Sequence, residues 1–163
     1  MLDDIQALNS ALKLTDTPRL IDFSPVHVVM LNVNEFDQKY FDVFGNYEDV
    51  LLSYSALGKA FTAIHHGKPM CCFGVIPLWP GCAECWLVPD VEIGTIARSF
   101  HRTSKAIFDI FMSEWRLVRL QVTVNCGNVA ASKWIKKMSF SEEGRLQNYG
   151  PEGDDYFMFS RLE

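Results

Sequence analysis

Apolar and polar positions alternate in different ways along the chain, and each change of spacing predicts a change of element. Residues 3–14 read as a short helix, and the polar stretch "TDTPRLIDFSP", interrupted by prolines, reads as a lead-in that closes a 1–25 segment. "VHVVMLNV", 26–33, is β-branched and apolar, which predicts a strand. Asn34 offers a cap for a helix that carries Phe36, Tyr40 and Phe44 on one face, and "YEDVLLSYSAL" continues as a second helix. From 59 to 88 the pattern turns to β: "KAFTAIHH", "PMCCFGVIPLW" and "ECWLV", joined by short turns, predict an antiparallel meander. A helix over 95–115 follows, with Ile96, Phe100, Ile107, Phe108, Phe111, Met112 and Trp115 at three- and four-residue steps. "LVRLQVTV", 117–124, predicts a strand, and Asn128 caps a helix that buries Ala131, Trp134, Ile135 and Met138. "FSEEGRLQNYG" and "DYFMFSRL" form a closing hairpin around "GPEGD". The order β, α, α, β, β, β, α, β, α, β, β packs naturally as one mixed α/β domain on a central sheet.

Composition narrows the function classes. The 163 residues are 48% hydrophobic and 21% charged, which is globular composition. No apolar run approaches the roughly 18 residues that span a bilayer, and the N-terminus lacks a basic start with an apolar core, so a soluble, non-secreted protein is expected. A net charge of −5 repels a phosphate backbone and argues against nucleic acid. Five cysteines, an odd count, read as reduced thiols of a cytosolic protein.

Candidate chemistry is sparse. Cys82 and Cys85 in "GCAECW" have the spacing of half a zinc site or of a redox pair. A closed zinc site needs a second pair of ligands, which the sequence does not offer, and a redox pair wants a helix start, so inert buried thiols are expected and no metal. His65 and His66 are adjacent on a strand end, where neighbouring side chains point apart. Arg98, Arg102 and Lys105 with His101 form a basic patch on the long helix, either an anion site or a solvated face. Trp79 in "PLWPG" sits near a turn, and exposed aromatics of this kind point to a protein interface.

The element order, with "NVAASKWIKKMSF" (128–140) and the tail "YFMFSRL", resembles the GCN5-related N-acetyltransferase (GNAT) superfamily. Asn128, Ala131, Trp134 and Phe140 fit that family's acyl-CoA segment. "CWLV", the long helix, "VTVNCGN", "WIKKMSF" and "DYFMFSRL" also resemble, in order, the phage T7-like internal virion protein A family, over residues 58–163. The resemblance implies a single GNAT-like domain with a mixed, mostly antiparallel sheet flanked by helices. It implies acetyl-CoA as the cofactor and Glu84 as the general base. It implies Trp86, Leu87 and Val88 beside the pantetheine arm, and Arg98, Ser99, His101, Arg102 and Asn128 as further cofactor-binding positions.

The sequence departs from the pattern in three places. "VEIGTIARSFHRTSK" replaces the glycine-rich turn that cradles pyrophosphate at a helix start, Ile135 stands where active members often carry a tyrosine acid, and Ser139 replaces a glycine. These departures and the phage resemblance imply a degenerate accessory protein, acting through contacts with a phage or host protein during virion assembly or host takeover. Its expected place is the bacterial host's cytoplasm or the virion. The alternative is an active enzyme that transfers acetyl to an amine by direct attack.

Overall fold

In the computed structural model, which describes residues 1–14 and 18–163, α1 (Ile5–Ala11) starts where Asp4 Oδ1 accepts the N–H groups of Gln6 and Ala7 at 2.9 and 3.0 Å. Of the expected lead-in, residues 15–17 lie outside the described residues. The remainder contains a strand that the sequence did not reveal, β1 (Arg19–Asp22). Asn9 on α1 serves as its outer neighbour: Asn9 Nδ2 donates to Leu20 O and Asn9 Oδ1 accepts from Leu20 N, both at 2.8 Å. A sheet edge is thereby satisfied without another strand.

The strand expected at 26–33 is instead a helix, α2 (Pro25–Val29). Pro25 fits the first helical turn and cannot donate to a ladder, and Ser24 N–H donates to His27 Nδ1 at 3.2 Å. These local starters outweigh the β propensity of three valines. The Asn34 cap is present: its Oδ1 accepts from Phe36 N at 2.9 Å and Asp37 N at 3.1 Å and opens α3 (Glu35–Phe44). Next come α4 (Tyr47–Leu57), β2 (Lys59–His65), β3 (Lys68–Trp79) and β4 (Cys82–Pro89). A 3₁₀ turn (Val91–Ile96) runs into α5 (Ala97–Glu114), followed by β5 (Arg119–Asn125), α6 (Val129–Lys137), β6 (Ser141–Leu146) and β7 (Tyr156–Leu162).

The seven strands form one sheet in the order β1-β2-β3-β4-β5-β7-β6. Every neighbouring pair is antiparallel except β4–β5, whose parallel course requires the α5 crossover. The mixed α/β class with a central, mostly antiparallel sheet is thus the observed fold. One face buries Leu8, Phe61, Val75, Ile107, Phe111, Leu120 and Phe159 against α1, α5 and α6. The other buries Val28, Leu51, Cys72 and Val88 beneath α2 and α4.

Around "GCAECW" the geometry is tight. Gly81 adopts φ +84°, a conformation that favours glycine, and its carbonyl accepts from Val118 N (2.8 Å) and Arg119 N (3.0 Å), which docks the β3–β4 turn on the start of β5. Cys82 and Cys85 are both buried, free thiols. Three positions apart on a strand, they lie on opposite faces. Burial pushes the thiol of each up from its ordinary value, so neither is a thiolate at neutral pH. No group of three or more His, Cys, Asp and Glu among the described residues is placed to hold a metal. No described helix is long and apolar enough to cross a membrane.

Candidate active site

The parallel strands β4 and β5 pair only at their starts, through Cys82–Arg119, Ala83–Leu120 and Glu84–Gln121. Beyond Glu84 they diverge, while β4 stays bonded to β3 up to Pro89 and β5 stays bonded to β7 up to Asn125. The gap that results opens on the α3–α4 side into a cleft of about 390 Å³. A smaller, almost wholly apolar cavity of about 60 Å³ lies on the α5–α6 side. Both are lined by Cys85, Trp86, Leu87, Val122 and Trp134, so the two lie on either side of the gap.

Glu84 stands at the floor of the cleft, where the strands part. Its Oε2 accepts from Gln121 Nε2 at 2.9 Å, and its other carboxylate oxygen has no partner among the described residues. Trp86 lies across Gly74 on β3: a Cβ at Gly74 would meet the indole at 2.8 Å and Lys59 O at 2.6 Å. Phe23 meets the same indole edge-on, with centroids 5.7 Å apart. Leu87 packs into the core on the opposite face and Val88 beneath α4. Asn128 lines the cleft, but its Oδ1 is occupied by Ala131 N at 3.0 Å, so it acts there as the cap of α6. On α6, Trp134 stacks on Phe100 of α5 with centroids 5.0 Å apart and planes 14° apart.

Buried donors without partners collect around this gap. Trp86 Nε1, Trp134 Nε1 and Asn125 Nδ2, all on cleft-lining residues, have no hydrogen-bond partner among the described residues. Buried polar groups in folded proteins are satisfied with few exceptions, so three such donors on residues lining one cleft stand out.

The sequence-predicted basic positions fall elsewhere. Arg98 and Arg102 are exposed on α5 and His101 is half-buried; none of the three lines the gap, and Ser99 lines only the small cavity. At the head of the β4–α5 connection the chain carries its own anion. The fully buried Asp90 carboxylate accepts from Asn32 N (2.8 Å), Glu92 N (2.9 Å) and Lys68 Nζ (3.2 Å). Burial alone would raise its pKa; the N–H groups of Asn32 and Glu92 and the Lys68 ammonium reverse this and hold it below the ordinary value. Ala97 N–H, at the start of α5, is committed to Gly94 O. Asp90→Ala strips two backbone N–H groups of their acceptor and is expected to cost about 2–4 kcal/mol, measured as a fall in denaturant midpoint at unchanged slope. Much of the Lys68 share is screened, since that side chain is 42% exposed.

The cleft holds a feature that the sequence pattern did not single out. Tyr40, Tyr47, Tyr54, Tyr149 and Tyr156, all five tyrosines of the chain, line it. Tyr40 stacks on Tyr47 at 5.2 Å, and Tyr149 lies 5.5 Å from Tyr156. Burial raises the pKa of Tyr40, Tyr47 and Tyr149 above that of free phenol, so these hydroxyls stay protonated. Asp37, on the first turn of α3, is a further carboxylate in the wall, and burial pushes it up to about 6 against the opposing hydrogen bond from Asn34. The rings are scattered over α3, α4, the β6–β7 loop and β7, so only the fold assembles them.

No family model matches the chain, and no curated protein matches it by sequence. Solved structures do. Ard1 from Thermoplasma volcanium superposes with a TM-score of 0.70 at 15% identity, over 90% of this chain and 98% of that one. A GNAT-family acetyltransferase from Bacillus anthracis gives 0.68 at 13% identity, over 90% and 95%. A GNAT-family acetyltransferase from Elizabethkingia anophelis, solved with acetyl-CoA bound, gives 0.58 at 11% identity, over 71% and 82%.

Proposed function

Proceeding from the GNAT acetyltransferase fold that the chain shares with those enzymes, we propose that the protein accepts the acyl-pantetheine arm of acetyl-CoA between β4 and β5. From there it passes the acyl group to an amine held in the tyrosine-lined cleft. The observation that carries this reading is the gap itself, ringed by the unpaired donors Trp86 Nε1, Trp134 Nε1 and Asn125 Nδ2. Such an arm presents amide groups, which suit the facing backbone edges that β4 and β5 leave unpaired beyond Glu84.

When bound, acetyl-CoA supplies an activated thioester. The chain supplies the rest. Trp86, Leu87 and Val88 form the wall that fixes the arm, with the β5-facing backbone of the unpaired part of β4 available to it. Glu84 is oriented by Gln121 and keeps one oxygen free to take a proton from the attacking amine. Tyr149 faces the same space, interacts with Thr123 and stays protonated, so it is the candidate proton donor in place of the residue that Ile135 replaces. Arg98, His101 and Arg102, with Ser99 beside them, offer only side chains toward the nucleotide end, and Asn128 acts by capping α6. Mixing the protein with acetyl-CoA and a panel of alkylamines, and following thiol release with mass detection of the N-acetyl product, tests the proposal. Release that depends on both amine and enzyme supports it; none with any amine sinks it.

A second reading has its own support. The Asp90 carboxylate occupies the head of the β4–α5 connection, and that connection lacks a glycine-rich turn. This favours an accessory protein, phage-encoded as the sequence resemblance implies, that keeps the fold for protein contacts. Trp79 (62% exposed) and Leu78 (40% exposed) would lie on its contact surface.

A further inference from the structure

The wall of the cleft is chemically one-sided. It carries the carboxylates of Asp37 and Glu84 and all five tyrosines, and among the described residues no lysine, arginine or histidine lines it. Glu84 has a use in the reading above. Asp37 has none. Among the described residues its only side-chain partner is neutral, Asn34 Nδ2 at 2.6 Å. Lys39, two positions on, is turned to the 147–155 loop, where it binds Asp154 at 2.6 Å and Glu152 at 3.4 Å. Among the described residues Asp37 is therefore a half-buried carboxylate without a counter-charge, in the same cleft wall as the rings of Tyr40, Tyr47 and Tyr156. A desolvated carboxylate is costly without a cation, and aromatic rings attract cations through their quadrupole. The two features call for the same missing partner.

We propose that the Asp37 end of the cleft binds an alkylammonium cation through the Asp37 carboxylate and the surrounding tyrosine rings. The acceptor amine then carries a second positive group besides the one that reacts at Glu84. The second statement rests on the acyl-transfer reading; the first does not. Glu84 and Asp37 are on different elements, β4 and α3, and the cleft spans both. An extended aliphatic chain with a cation at each end suits such a space, whether it comes as a free diamine or as a lysine side chain next to another basic group.

The test separates the two statements. Choline cannot be acylated at nitrogen, and 3,3-dimethylbutan-1-ol has its shape without its charge. In calorimetric titrations of the full chain at neutral pH, choline is expected to bind about tenfold or more tighter than the alcohol. Asp37→Asn, checked for folding by circular dichroism, is expected to remove that preference. Equal binding of choline and the alcohol, no binding of either, or an undiminished preference in the variant would overturn the cation site. In the transfer assay, 1,4-diaminobutane should show a KM about tenfold below that of 1-aminobutane, an advantage lost in Asp37→Asn. A peptide with adjacent lysines, run beside the diamine, tells the two sources apart. If choline binds as expected and no amine is acetylated, the cation site stands and the acyl-transfer reading falls. If amines are acetylated with no diamine advantage and choline does not bind, the cation site falls alone.

Discussion

Glu84→Gln is expected to lower kcat/KM for amine acetylation by about 10²–10⁴-fold, the usual contribution of a general base. The substitution keeps the shape of the side chain, and its amide oxygen still accepts from Gln121 Nε2, so the β4–β5 junction is expected to survive. The carboxylate's ability to take a proton is what disappears. The neutral thioester arm does not depend on that charge, so the dissociation constant of acetyl-CoA should move little while the transfer rate collapses. A variant that retained full rate would remove Glu84 from the mechanism. A variant that lost acetyl-CoA binding and rate together would make Glu84 a structural residue of the gap.

Gly58→Ala is the expected structural counterpart. Gly58 ends α4 and leads directly into β2 beneath β3. A Cβ there would stand 2.0 Å from Val75 O, 2.9 Å from Val75 C and 3.1 Å from Ile76 Cα. All of these are backbone atoms of a strand hydrogen-bonded on both sides, so no rotamer change relieves the clash. Overpacking of a well-packed interior costs roughly 1–3 kcal/mol when side chains can give way, and more is expected where only a strand can move. For a chain of this size a loss of about 3 kcal/mol lowers the melting temperature by roughly 6–12 °C. Thermal unfolding followed by circular dichroism reads this directly; a melting temperature within a degree or two of the parent would mean that the α4–β2 corner is looser than described. The glycine is required here by close approach and not by a left-handed backbone, since its φ is −138°.

How far the sequence carried depends on whether a feature is local. Asn34 and Asn128 were legible as caps because a cap is decided within three residues, and both accept the expected N–H groups. The meander, the long helix and the closing hairpin were legible because each holds one period long enough to be read. α2 was not: its valines suit a strand, and only Ser24, Pro25 and the brevity of the segment argue otherwise. β1 was hidden for a related reason, because four residues leave no period to detect and its outer edge is completed by an asparagine side chain.

The candidate site divides in the same way. Glu84, Trp86, Leu87, Val88 and Asn128 were placed by the order of elements, and they converge on the cleft. Arg98, His101 and Arg102 were singled out for their charge, and charge on a helix does not say which way the helix faces; they lie outside it. The tyrosine wall and Asp37 were not legible, since residues from 37 to 156 meet only after the sheet has formed. Asp90 was not singled out in the sequence, and its role appears only when Asn32, far earlier in the chain, donates to it.

The central claim is that the opening between β4 and β5 receives an acyl-pantetheine arm. Isothermal titration calorimetry with acetyl-CoA and, separately, with acetyl-phosphopantetheine tests it most directly. On the proposed reading, recognition is carried by the arm in the gap, and the β4–α5 connection lacks a glycine-rich turn for the nucleotide end. Both ligands are therefore expected to bind, with dissociation constants within about tenfold of each other. Absence of heat from both at about 1 mM, or binding of acetyl-CoA that ADP alone displaces completely while acetyl-phosphopantetheine stays inert, would contradict it.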